Sequence, residues 1–97
     1  MNLFIHETEV EIQTLQNAVL ENKIDRIAEV AHKLKTVFKS FNLEKMTINL
    51  QRLQVLAQSN YNSEEGLRLM RKISEEYPIL RLEMIALLAE LNLNPKK

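Results

Sequence analysis

His6 and His32 are the only imidazoles in the chain, and there is no cysteine. Disulfides, thiol catalysis and cysteine zinc sites are therefore excluded. Lys35, Thr36 and Lys39 follow His32 at the third, fourth and seventh positions, spacings that place all four side chains along one flank of a helix. That flank presents an imidazole among cationic and hydroxyl groups. An imidazole nitrogen can act as a nucleophile, and ammonium charges lie near it. The same charges pair with phosphate oxygens once the ring has taken up a phosphoryl group. His6 lacks this setting, because Glu7 and Glu9 adjoin it and no Lys or Arg precedes Lys23, so it reads as an ordinary surface residue. Glu7, Glu9, Glu11, Glu75 and Glu76 read as solvated helix-surface charge rather than acid/base pairs. No glycine-rich phosphate loop, glycine-flanked nucleophile or helical His-Glu metal spacing occurs, so neither a self-sufficient enzyme nor a metal site is expected.

The elements that must carry His32 follow from composition and periodicity. With 45% hydrophobic residues, 27% charged residues, one Gly and two Pro in 97 residues, the chain lacks the turn formers that sheets require. It is sized for one all-α domain spanning residues 1–97. Thirteen basic and thirteen acidic side chains cancel, so there is no broad cationic field for nucleic acid or for direct membrane contact. The longest apolar run, Met84 to Ala89, is far short of the ~20 residues of a membrane span, and a cytoplasmic setting is the default expectation.

Four amphipathic stripes are legible. Ile5, Ile12, Leu15 and Val19, with Phe4 and Thr8 beside them, mark a first helix over about 3–20. Asn22, with Asp25 three residues on, predicts an N-cap for a second helix carrying Ile24, Ile27, Ala28, Ala31, Leu34, Phe38 and Phe41. Asn42 suits either a left-handed end to that helix or a cap for the next, whose stripe is Leu43, Met46, Leu50, Leu53 and Ala57. After a polar loop over 58–63, Asn62 and Glu65 resemble a capping box opening a long fourth helix with the stripe Met70, Ile73, Tyr77, Leu80, Met84, Leu87 and Leu91. The stripe runs through Pro78, which predicts one helix kinked there rather than two. The tail from Asn92 to Lys97 has no period and is expected to fray. Short turns between four stripes predict an antiparallel up-down four-helix bundle. On the second helix, with Ala31 near the centre of the buried arc, His32 lies about 100° away and reaches solvent.

The string Ala31-His32-Lys33-Leu34-Lys35, on a helix opened by Asn-x-x-Asp, resembles the Ala-His-x-Leu-Lys signature of histidine phosphotransfer domains. The likeness extends to the stretch from Phe4 to Leu20, which looks like that family's first helix, to Phe41-Asn42-Leu43 where that family commonly has an apolar residue, Gly and Ala, and to Leu53-Gln54 where Leu-Glu is usual. It implies a four-helix bundle with His32 as phospho-acceptor and Lys35 steadying the phosphate. Ala28, Lys33, Thr36 and Lys39 would then form the receiver-docking and phosphate neighbourhood. It also implies a response-regulator receiver domain as partner, supplying the magnesium ion and the acidic pocket, so that this chain needs no cofactor of its own. The module would be free-standing or the terminal part of a hybrid sensor kinase. Thr36 and Val37 stand where the family has Gly and further small residues, which predicts an altered fit to the receiver, since a β-branched side chain adds bulk there. The alternative expectation is an inactive, phosphotransfer-like helical adaptor that binds a receiver or a partner helix without chemistry.

Overall fold

The computed structural model describes residues 3–93, with side chains over 5–90. Four helices and no strand are present among them: α1 (Leu3–Leu20), α2 (Ile24–Ser40), α3 (Glu44–Gln58) and α4 (Ser63–Leu93). The side chains of Phe4 and Leu91 and the tail from residue 94 lie outside the described residues, whereas Asn92 and Leu93 continue α4.

Each stripe turns inward to one continuous core. Ile5, Leu15 and Val19 of α1, Ile27, Leu34 and Phe38 of α2, Met46, Leu50 and Leu53 of α3, and Ile73 and Met84 of α4 are all essentially inaccessible. Burial of each such side chain contributes roughly 1.5–3 kcal/mol before ordering costs, which is why the stripes dictate the packing. The helices pack in a ring, α1 on α2, α2 on α3, α3 on α4 and α4 on α1. Across the diagonal, Phe38 of α2 meets Tyr77 of α4 edge to face, with ring centroids 6.3 Å apart at 87°, the arrangement favoured by aromatic quadrupoles. The ring neglects some expected core positions: Ile24 at the start of α2 and Leu87 in the last third of α4 are about two-fifths exposed. Val30 and Asn49, outside the expected stripes, are buried.

The turns correct one expectation. Asn22 does not cap α2; it ends α1. Its φ is 56°, with Lys23 N–H donating to the Ala18 carbonyl and Asn22 N–H to the Val19 carbonyl, the bond pair of a left-handed helix terminator. Lys23 occupies the N-cap position of α2 without a side-chain cap bond. Asn42 repeats the device at the end of α2, with φ 60° and bonds from Leu43 N–H to Phe38 and from Asn42 N–H to Lys39. Asparagine tolerates this conformation because its short amide side chain is not penalised there as bulkier ones are. Asn62 does cap α4, its Oδ1 accepting the Glu65 N–H at 3.1 Å. The reciprocal half of the box is missing, since the Glu65 carboxylate pairs with Arg68 instead.

α4 passes through Pro78 without a break. The proline removes the amide that would reach the Ser74 carbonyl. Pro78 is solvent-exposed and Ser74 only partly buried, so water can serve the freed oxygen. No described helix is long and apolar enough to cross a membrane.

Two predictions follow from strain and unmet polarity in this core. The sole glycine, Gly66, sits in the first turn of α4 beneath Tyr61, and a Cβ there would fall 2.7 Å from Tyr61 Cζ. Gly66→Ala should therefore lower the denaturation midpoint despite the ~1 kcal/mol that helix propensity gives alanine. Adding Tyr61→Ala should relieve the clash, so a denaturant double-mutant cycle should show coupling between the two sites. The Tyr77 hydroxyl is buried with no hydrogen-bond partner among the described residues, and burial, reinforced by Glu9 and opposed by Arg81, pushes the phenol up to about 12. A folded pKa above the unfolded value means that stability is complete below about pH 10 and is lost as pH rises toward 12. Tyr77→Phe should stabilise the fold by about 1 kcal/mol at neutral pH and flatten this alkaline loss, as read by circular dichroism melts between pH 8 and 12.

Candidate functional site

The site begins with what α2 can hide. With Ile27, Val30, Ala31, Leu34 and Phe38 buried, the 100° step per residue leaves His32, Thr36 and Lys39 on the solvent side and Ala28 and Lys35 at the margin. The structure agrees: His32, Thr36 and Lys39 are exposed, and Ala28 and Lys35 are half-buried. Along the axis, Lys35 lies one turn (~4.5 Å) and Lys39 two turns (~10.5 Å) beyond His32. The imidazole makes no hydrogen bond to any described residue. Thr36 turns its hydroxyl back to the His32 carbonyl at 3.2 Å, so that hydroxyl is engaged with the helix backbone.

α3 supplies the other side. Lys35 Nζ donates to Gln51 Oε1 at 2.6 Å across the α2–α3 seam. A neutral amide orients the ammonium without cancelling its charge. The same seam opens into a groove of about 700 Å³ bounded by Lys35, Lys39, Leu43, Ile48, Gln51 and Arg52, among others. Its charged lining is three cations against one carboxylate, Glu44, so the groove is locally positive although the chain is neutral overall. Lys39 has no partner among the described residues, which leaves its charge available to an incoming anion.

Lys33 goes elsewhere. It lies 200° from Lys35 around α2, and its ammonium pairs with Glu11 of α1 at 3.2 Å, so it borders the α1–α2 seam and not the groove. Of the residues singled out by sequence, the structure thus gathers Ala28, His32, Lys35 and Lys39 on the α3-facing flank of α2, leaves Thr36 beside them facing solvent, and sets Lys33 apart. His6 is exposed on α1, remote in sequence from this cluster.

Periodicity missed the α3 contribution. Gln51 and Arg52 sit on the exposed side of a moderately amphipathic helix, where nothing in their local spacing distinguishes them from solvated surface. Gln54, on the same α2-facing flank of α3, buries its Oε1 without a described hydrogen-bond partner. No signal short of the pairing of α2 with α3 would have found them. Among the described residues, no cluster of three or more His, Asp or Glu is arranged to hold a metal ion. No protein-family model, curated protein or solved structure matches the chain. The likeness to the phosphotransfer signature accordingly rests on the residues of this sequence, chiefly Ala31 to Lys35.

The Lys35–Gln51 bond is on the surface, so its worth lies in orientation. Gln51→Leu should change the unfolding free energy by less than about 1 kcal/mol while speeding exchange of the Lys35 ammonium protons in nitrogen-detected magnetic resonance. A much larger loss of stability would show that the contact is structural.

Proposed function

We propose that the chain is a phosphoryl carrier in which His32 accepts the group from an aspartyl phosphate on a response-regulator receiver domain and passes it on. The observation that carries this reading is the pairing of an exposed, unengaged imidazole on α2 with a lysine one turn away whose ammonium is held at the mouth of a locally positive groove. An imidazole nitrogen attacks phosphorus as the bond to the aspartyl oxygen breaks. The carboxylate leaves with that bond's electron pair, and the phosphoryl group moves to His32. Lys35, with Lys39 further along, balances the charge of the phosphohistidine. The receiver contributes the magnesium ion and the acidic pocket, which fits a chain with little machinery beyond a placed nucleophile and a surface around it.

The same reading carries an up-down antiparallel order for the four helices and a bend of α4 at Pro78. It places the protein in the cytoplasm with its receiver, either free or joined in one sensor kinase. Thr36, exposed on the approach to His32, narrows the choice of receiver.

Phosphorylated receivers from the same genome, mixed with the chain, should transfer label in acid-labile, base-stable form. His32→Gln should abolish the label with the fold intact, since exposed helical substitutions cost little, and His6→Gln should leave transfer unchanged. Lys35→Ala should slow it by about tenfold, the loss of roughly 1.4 kcal/mol of charge-assisted stabilisation. Absence of label from every receiver would overturn the carrier, and receiver binding without label would identify an adaptor.

A further inference from the structure

α4 has a second apolar face. By the 3.6-residue period, its buried arc centres on Ile73, Tyr77 and Met84, yet Ile79, Leu82, Ala86 and Ala89 recur at spacings of three and four on the opposite side. All four are exposed, Ile79 and Leu82 by 64% and 65%. This spacing matches the a and d positions through which paired helices meet. Cover of α4 thins toward its C-terminal end: Met84 is the last fully buried side chain among the described residues, and of the six after it only Leu88 is partly buried.

Charge identifies what fits the seam. Glu76, Glu83 and Glu90 recur every seven residues along one edge, in the flanking position that selects partners in paired helices. Glu83 and Glu90 are exposed and pair with no cation among the described residues, while Glu76 accepts a hydrogen bond from Asn49. The opposite edge holds Pro78 and Ile85 and no charge. A second copy is a poor match. Antiparallel pairing sets one acidic row against the other, and parallel pairing sets it against the uncharged edge. Ala86 and Ala89 leave room for large side chains from the other helix.

We propose that the outer face of the C-terminal half of α4 docks an amphipathic helix of another protein, one with bulky apolar residues along its seam and a row of Lys or Arg beside it. This is independent of any chemistry at His32, which lies on a different helix.

The test uses the full chain, isotopically labelled, and two synthetic 21-residue helical peptides with leucine seams, one flanked by lysine and its twin by glutamate. The lysine peptide should shift the amides of residues 76–93 and bind about tenfold or more tightly than its twin. Leu82→Glu should weaken it by a similar factor without altering the melt. Glu83→Lys with Glu90→Lys should invert the preference between the peptides. Equal binding of both peptides, or shifts confined to other helices, would overturn the proposal. So would sedimentation of the chain alone as a dimer that Leu82→Glu dissolves, which would assign the face to a second copy.

Discussion

Burial of Ala31, Leu34 and Phe38 on α2 is the constraint from which the rest of the molecule follows. A helix turns 100° per residue and hides one arc. Once those three side chains are driven out of water, His32 has to face solvent and Lys35 has to lie at the margin where α3 packs. Neither orientation needs a dedicated interaction. The hydrophobic effect, non-directional in itself, becomes directional through the helix period. Phe38 extends the constraint across the bundle by its edge-on contact with Tyr77, tying α2, which bears His32, to α4.

Around this apolar centre, each of the four helix seams carries a polar contact: Glu11 with Lys33 between α1 and α2, Lys35 with Gln51 between α2 and α3, Asn49 with Glu76 between α3 and α4, and Glu9 with Arg81 between α1 and α4. Exposed or part-buried ion pairs and hydrogen bonds of this kind are each worth about 0–1.5 kcal/mol, too little to hold the bundle together. Their effect is on register and on where charge is allowed to sit. Lys33 is spent on α1, whereas Lys35 is held by a neutral amide and keeps its full field over the α2–α3 groove. Two lysines only two residues apart thus acquire different roles from the helices they face.

α4 shows how one stripe can be read correctly while its neighbours are not. Its inner stripe was legible through Pro78, because the proline sits on the solvent side and costs the helix a bond without displacing the core. The outer stripe overlaps it in sequence. Both recur at intervals of three and four, and an apolar residue such as Leu87, expected inside, ends two-fifths exposed, one turn beyond Met84, the last fully buried side chain of α4 among the described residues. The Asn22 assignment failed for a different reason: asparagine favours both N-caps and left-handed helix ends, and only the backbone φ distinguishes them.

By itself the sequence determined the four helices, most of their buried stripes, the exposure of His32 and the lysines on its flank. These depend on local periodicity, and residues within two turns settle them. The tertiary structure alone decided that Lys35 meets Gln51, that Lys33 turns to Glu11, that Arg52 joins the groove and that Asn49 is buried. Each joins residues far apart in the chain, and which side chains meet there is fixed only when the competing demands of four apolar faces are satisfied together.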